Sequence, residues 1–197
     1  MPMRPGFEAI NQDRRQLWRT AVTSIAAATA VIAVVLALSG GRAISAQDKY
    51  TVQVPEGLAF SEFRGFEDWA TVAVSQSGDL IEVIVGNPAI IDAYRSGIPG
   101  NGKPFPDGAK MAKIHWNAKK SDEAPEPTTI PGTLHDVDFM VKDSKRFPST
   151  GGWGYAQFDY DNASEAFKPL GTGSDCGYAC HTIVAKKDYV FTAYGKR

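Results

Sequence analysis

Two β-branched runs, Trp69-Ala-Thr-Val-Ala-Val-Ser75 and Leu80-Ile-Glu-Val-Ile-Val85, are separated only by Gln-Ser-Gly-Asp. Valine, isoleucine and threonine fit the pleated surface of a strand, and a short polar connection containing glycine is typical of a hairpin. These runs therefore predict two antiparallel strands and a fold built on an antiparallel sheet.

The next elements along the chain also have clear local signals. Asn87 and Pro88 suit the cap and first position of a helix, which we expect over Ala89–Arg95, before Gly97. Phe105-Pro-Asp-Gly108 is typical of a turn, and it leads into a predicted strand over Ala109–Trp116.

The remaining segments complete a strand-rich domain. We predict a strand over Leu134–Lys142, with Gly152–Tyr160 as its hairpin partner, after a solvated loop over Lys119–Pro131. Upstream, Tyr50–Pro55 alternates like a short edge strand, and Ser61–Trp69 predicts a short helix or turn. The predicted fold class is α+β or mainly β, with an antiparallel sheet and one or two short helices.

The first 46 residues differ in kind from the rest. Arginines precede an uncharged apolar run at residues 21–38, and small residues follow it. This order is typical of a cleaved secretory signal, although 18 apolar residues would also suffice for a retained membrane anchor. Arg14-Arg15 also resembles a twin-arginine export motif. We therefore expect a leader at residues 1–46 and a domain at residues 47–197, periplasmic and either soluble after cleavage or anchored by residues 21–38.

Charge restricts the choice of partner. From Gln47 onward, 16 lysines and arginines are outnumbered by 20 acidic residues, and no basic patch is evident. Nucleic acid is therefore not an expected partner. In an oxidising compartment, two nearby cysteines form a disulfide or hold a cofactor.

The only two cysteines lie in Cys176-Gly-Tyr-Ala-Cys180-His181. Two thiols can add to the vinyl groups of a haem, and the adjacent histidine can then bind the iron axially. The usual attachment run has two residues between the cysteines, whereas this one has three. We expect Gly177 to allow a bulged loop that absorbs the extra residue. The alternative is a Cys176–Cys180 disulfide.

The chain resembles the cytochrome P-460 family, which consists of exported c-type haem proteins built on an antiparallel sheet. The matching pieces occur in family order: Asn87-Pro88-Ala89, Phe105-Pro-Asp-Gly108 before a strand with Lys113, Phe139-Met-Val-Lys-Asp143, Gly151-Gly-Trp-Gly154, Cys180-His181, and Asp188-Tyr-Val-Phe-Thr192.

The resemblance implies roles for individual residues. His181 would be the proximal iron ligand, and Cys176 and Cys180 the thioether attachments of haem c. Members that oxidise hydroxylamine carry a lysine bonded to the haem ring, for which Lys113 is the best-placed residue here and Lys110 the alternate. The resemblance further implies a soluble electron-transfer protein as partner and a homodimer.

Strand alternation leaves the position of Lys113 open. Met111, Lys113 and His115 share one strand face, so Lys113 faces the interior only if Met111 does. Otherwise Lys113 is a solvated lysine. His115 and His135 are either distal-pocket or metal-binding residues or structural histidines, and the carboxylates of Glu82 and Asp138 could accept protons near a distal site.

Three functions remain open. A haem linked to Lys113 would oxidise hydroxylamine, as an oxidoreductase. An unlinked five-coordinate haem with an apolar distal side would bind nitric oxide, as in the related sheet-type cytochromes c′. A non-haem exported binding or structural domain would retain the fold with a disulfide. No hydrolase, metalloprotease or phosphate-loop motif competes with these.

Overall fold

The computed structural model describes residues 46–55, 57–171 and 173–196, and for residues 173–176 it describes the backbone alone. The predicted leader with its apolar run at residues 21–38 therefore lies outside the described residues, apart from Ala46. Within the described ranges, no helix is long and apolar enough to cross a membrane.

Six antiparallel strands form a single sheet whose spatial order is the order along the chain. The strands are β1 (Ala70–Ser77), β2 (Leu80–Gly86), β3 (Lys110–Lys120), β4 (Thr129–Lys142), β5 (Trp153–Asp161) and β6 (Ala166–Leu170). Among the described residues, two α-helices accompany them, α1 (Pro88–Arg95) and α2 (Gly173–His181). The predicted α+β or mainly β class with an antiparallel sheet is confirmed.

Local chemistry explains the α1 helix between β2 and β3. The side chain of Asn87 accepts a hydrogen bond from the backbone N–H of Ile90, at 3.2 Å, and Pro88 occupies the first helical position. Capping of a free N–H and a pre-set proline φ both favour a helix start here. The same Asn87 side chain reaches Gly108 and Lys110, so α1 is tied to the start of β3.

Each face of the sheet has its own hydrophobic core. We call the first the core face; it is covered by residues 50–69, whose buried aromatics include Phe60 and Phe63. Phe60 makes ring contacts with Phe139 and Phe158 of this face. We call the opposite face the cavity face; Met111 and Met140 lie on it, and it is covered in part by α1, Phe105 and the C-terminal segment.

Two expectations for local structure were wrong, and two elements were not predicted. Tyr50–Pro55 is not a strand: it contains part of a 3-10 helix, Lys49–Thr51, and a single bridge between Gln53 and Ala59. The predicted loop at Lys119–Pro131 shrinks to residues 121–128, because β3 and β4 pair out to Lys120 and Thr129. β6 and α2 were not predicted. β6 contains a lysine and a proline, which are tolerated because it is an edge strand.

The segment Ser61–Trp69 does form short helical turns, as predicted. Its 3-10 helices are Phe60–Phe63 and Phe66–Asp68. Glu62 accepts a hydrogen bond from the Ala59 N–H and also from both terminal nitrogens, Nη1 and Nη2, of the Arg146 guanidinium in the β4–β5 connection. These contacts fasten the N-terminal segment to the sheet.

Candidate functional site

A cavity of about 390 Å³ lies between the cavity face and the C-terminal segment. Its lining combines apolar and polar side chains from the sheet with the end of α2 and the segment after it. The apolar members include Ile84, Met111, Met140, Tyr155, Leu170, Val190 and Phe191, and the polar ones include Ser75, Glu82, Lys113, Asp138, Gln157, Cys180 and His181. Three of the four predicted site residues, Lys113, Cys180 and His181, therefore meet at one cavity.

Strand register accounts for the polar wall. Lys113 pairs with Ile84 on one side and with Asp138 on the other, and Asp138 pairs with Gln157. Residues paired directly across antiparallel strands point to the same face of the sheet. Met111 is buried on the cavity face. Lys113 and His115 share this strand face with Met111, so of the two alternatives for Lys113 the inward-facing one is observed.

Lys113 is held by Glu82 in the neighbouring strand β2. The two side chains form an ion pair of 2.9 Å, in which Lys113 is 34% exposed, and Glu82 also accepts a hydrogen bond from Ser75 at 2.7 Å. Burial raises the pKa of Glu82, but the hydrogen bonds from Ser75 and Lys113 outweigh burial and leave this pKa below its ordinary value. Lys110, the alternate, donates instead to the carbonyl oxygen of Glu62, at 2.6 Å, away from the cavity.

The ring of His181 is oriented by the backbone. Its Nδ1 lies 2.5 Å from the carbonyl oxygen of Tyr189. Because a carbonyl only accepts, Nδ1 carries the proton and Nε2 keeps a lone pair for a ligand. The ring also contacts Tyr155 and Phe191, with centroids 5.1 and 5.0 Å away. Burial lowers the pKa of His181, which favours the neutral ring that can bind a metal.

A buried ion pair shapes the turn that brings Tyr189 to His181. Asp188 and Tyr189 both have positive φ angles, 49° and 63°, which are uncommon for residues other than glycine. The Asp188 carboxylate contacts the Lys142 amine at 2.7 Å and accepts from the Phe105 N–H at 2.7 Å. The carbonyl oxygen of Asp188 accepts from the Trp153 indole at 2.9 Å. These bonds hold the turn in its strained conformation.

The cysteine run is helical, so the expected bulged loop is wrong. Gly173–His181 forms α2, which packs on β5 at Gly177. A Cβ built on Gly177 would lie 2.4 Å from a ring carbon of Tyr155. Glycine is therefore needed here for the close packing of α2 on β5, and not for the flexibility of a loop. Cys180 is exposed on the cavity lining and has no disulfide partner among the described side chains. The side chain of Cys176 lies outside the described part, and its role stays a prediction.

A second group of polar residues borders the cavity on β3 and β4. His115 and Asp136 are 5% and 2% exposed, and His115 Nδ1 lies 3.0 Å from Asp136 Oδ2 without the alignment of a hydrogen bond. His135 Nδ1 contacts Asp136 Oδ1 at 2.6 Å. Burial favours the neutral carboxyl of Asp136, yet His115 and His135 outweigh it and hold its pKa at about 2. Burial, and then the charge of Asp136, raise the pKa of Asp138 to about 7.

The family model described as Cytochrome P460 matches residues 63–192, which include the six strands and the two α-helices of the described part of the chain. The chain belongs to the cytochrome P460 family. No curated protein matches the chain. Membership implies a haem protein, and the resemblance drawn from the sequence motifs is confirmed.

The residues present fit a haem. The cavity lining supplies an imidazole with Nε2 available to a ligand and a cysteine thiol, and it is rich in apolar side chains. Leu170 and Phe191 line the cavity while remaining 44% and 46% exposed, which leaves apolar surface for a flat, largely apolar cofactor to cover. The apolar walls and the histidine therefore agree with the cytochrome P460 assignment.

Sequence reasoning missed Asp136 and did not connect His115 with the acidic residues. The alternation His135-Asp-Val-Asp138 does place Asp136 and Asp138 on one face of a strand. The pairing of Asp136 with His115 depends on a register shift, because Trp116 pairs with Leu134 and His135 is left as the extra residue of a bulge.

Proposed function

We propose that this member of the cytochrome P460 family is an exported c-type haem protein that oxidises hydroxylamine. His181 would supply the axial nitrogen to the iron, and Cys176 and Cys180 the two thioether bonds. When bound, the haem supplies an iron that can take electrons from a small molecule and pass them on. The export part of the proposal rests on the arginines and apolar run of the N-terminal leader.

The observation that carries the proposal is the position of the Lys113 amine on the same cavity lining as Cys180 and His181. A lysine nitrogen bonded to the ring of a haem would change the shape and electronics of the macrocycle. Lys113 is the residue suited to that bond, because its strand face turns it to the cavity whereas Lys110 faces away. Glu82, 2.9 Å from the amine, fixes the direction of the side chain.

The polar part of the lining favours hydroxylamine over an apolar gas. Glu82, Asp138 and Gln157 offer oxygen atoms to a small molecule that carries both N–H and O–H donors. An entirely apolar lining would offer such a molecule no acceptors. Electrons would leave to a soluble electron-transfer protein, and a homodimer remains part of the proposal.

Nitric oxide binding is the second candidate. Ile84, Met111 and Met140 form an apolar part of the same lining, which suits a small uncharged ligand. In this version Lys113 stays unlinked and the ion pair with Glu82 persists. A non-haem binding domain with a cysteine disulfide is the third.

Comparison of Lys113→Ala with Lys110→Ala tests the proposal, because both remove one lysine from the same strand and only one faces the cavity. In the linked version, Lys113→Ala shifts the main haem absorption band and abolishes hydroxylamine-dependent reduction of a soluble electron acceptor, while Lys110→Ala leaves both unchanged. Identical spectra for the two variants, with nitric oxide binding retained, would support the second candidate. A colourless full-length protein, purified after export, would support the third.

A further inference from the structure

His115, Asp136 and Asp138 form a compact group on adjacent strands, which we call the His115–Asp136–Asp138 cluster. One nitrogen or oxygen atom from each residue lies within 4.8 Å of the corresponding atoms of the other two. The cluster arises from register, because His115 pairs with Asp136 and Asp138 follows two residues later on the same face. None of these residues is among those proposed to attach the haem or bind its iron.

Two atoms of the cluster have no hydrogen-bond partner among the residues that the structure describes. They are Nδ1 of His115 and Oδ1 of Asp138, both enclosed by protein. Buried polar atoms are nearly always bonded, and leaving one unmet costs about 1–3 kcal/mol. His115 is only 5% exposed, so water does not reach its ring freely. The two unmet atoms lie in one cluster, so a single bound cation would satisfy both.

The surroundings resemble the outer shell of a metal site. Glu82 lies on the far side of the imidazole, with Oε1 3.6 Å from Nε2 of His115. Asp136 is contacted by His135 at 2.6 Å, and Gln157 donates to it at 3.1 Å. Carboxylates behind a ligating histidine, and bonds to a ligating carboxylate, orient ligands in many metal proteins.

The local excess of negative charge also favours a bound cation. Glu82, Asp136 and Asp138 bring three carboxyl groups to one part of the sheet, and Lys113 is the lysine paired with them, through Glu82. A divalent cation would offset this excess of acidic groups.

We propose that the His115–Asp136–Asp138 cluster binds one divalent first-row transition-metal cation, separate from any haem iron. One imidazole nitrogen and two carboxylate oxygens form the kind of mixed set that accepts Mn²⁺, Fe²⁺ or Zn²⁺. His115 would bind through Nδ1, Asp138 through Oδ1 and Asp136 through Oδ2, with Glu82 facing the opposite nitrogen of the imidazole. The site borders the cavity, whose lining includes Asp138.

Titration of the full-length purified protein with Mn²⁺, followed by electron paramagnetic resonance, tests this proposal. Free Mn²⁺ gives a strong signal that is lost on binding, and Mn²⁺ prefers oxygen and nitrogen ligands to the thiol of Cys180. We expect one equivalent to be bound by the unaltered protein and none by His115→Ala or Asp138→Asn. His135→Ala removes only an orienting contact and should weaken binding about 10–100-fold.

Asp159→Asn is the matched control, because Asp159 pairs with Asp136 across β4 and β5 but is not in the cluster. It should bind Mn²⁺ like the unaltered protein. Equal affinity in Asp138→Asn and Asp159→Asn, or no binding by the unaltered protein, would overturn the proposal. Circular dichroism of each variant excludes unfolding as the cause of lost binding. Haem content is measured on the same samples, so the Mn²⁺ result can be interpreted even if the haem proposal fails.

Discussion

The Nδ1 atom of His181 lies 2.5 Å from the carbonyl oxygen of Tyr189, eight residues further along the chain. The segment after the cysteine run therefore folds back onto the histidine and sets its tautomer. A ligand histidine needs such a partner on its second nitrogen to keep the ring oriented. Asp188, which precedes Tyr189 and pairs with Lys142, would thus contribute to the proposed iron site without lining the cavity.

If His181 is the axial ligand, as proposed, its replacement should remove that ligand and leave the proposed covalent attachment intact. We expect His181→Ala to retain haem on the chain through its cysteines but to lose the absorption spectrum of a histidine-ligated iron, which visible spectroscopy records. His135→Ala is the control, because His135 is 47% exposed and contacts Asp136. An equal spectral change in both variants would argue against His181 as the ligand.

Mass spectrometry of cysteine variants should show which cysteine forms a thioether bond to haem. We expect Cys176→Ser and Cys180→Ser each to keep one thioether bond to haem, and the double variant to release haem on acid-acetone extraction. If the disulfide alternative holds, the unaltered protein is instead colourless and its thiols react with a labelling reagent only after reduction.

Gly177→Ala should destabilise the protein despite the higher helix propensity of alanine. In an unconstrained helix the change would stabilise by up to about 1 kcal/mol. Here the added Cβ would lie 2.4 Å from the Tyr155 ring, so we expect a net loss of about 1–3 kcal/mol in urea unfolding and a lower haem content. Gly195→Ala, which meets no atom within 4 Å, should leave both unchanged.

Asp188→Asn should be more damaging than a surface change, because it leaves the buried amine of Lys142 without its counter-charge. Removal of one partner from a buried ion pair costs about 3–5 kcal/mol, and urea unfolding should record a loss of this size. The double variant Asp188→Asn with Lys142→Met removes the unpaired charge and should recover part of the loss. Unchanged stability in the single variant would show that the pair is not needed.

The clamp between Glu62 and Arg146 should give stability that depends on pH. Burial raises the pKa of Glu62, but bonds from Arg146 and the Ala59 N–H outweigh it, and the folded-state pKa lies below the ordinary 4.5. The stabilisation is therefore present above pH 4.5 and is lost as the pH falls through the folded-state pKa.

Glu62→Gln tests this clamp. Because Arg146 is partly exposed, we expect a cost of only about 0.5–1 kcal/mol at neutral pH, shrinking in acid. Urea unfolding at several pH values measures it, with Glu123→Gln in the exposed β3–β4 loop as control. A difference that is constant with pH would contradict the ionic origin.

The sequence predicted the elements whose signals are local. The β1–β2 hairpin, the Asn87 cap with Pro88, and the central strands appear as expected, because turn chemistry and β-branched runs act over a few residues. The helical cysteine run was missed, because its two glycines and polar residues weaken any helix signal and its packing on Tyr155 is a tertiary contact. The pairing of His115 with Asp136 was missed for a related reason, since a bulge at His135 sets it.

The alternation of side chains along β3 limits which mutations the protein can accept during evolution. Ala112 lies in the core behind the sheet, whereas its neighbours Met111 and Lys113 line the cavity. Insertion or deletion of one residue within β3 would exchange the two sets of side chains, placing Lys113 in the hydrophobic core and Ala112 in the cavity. The core-facing and the cavity-facing residues of β3 therefore depend on the same alternation. We expect relatives to differ in β3 by substitutions and hardly ever by insertions or deletions.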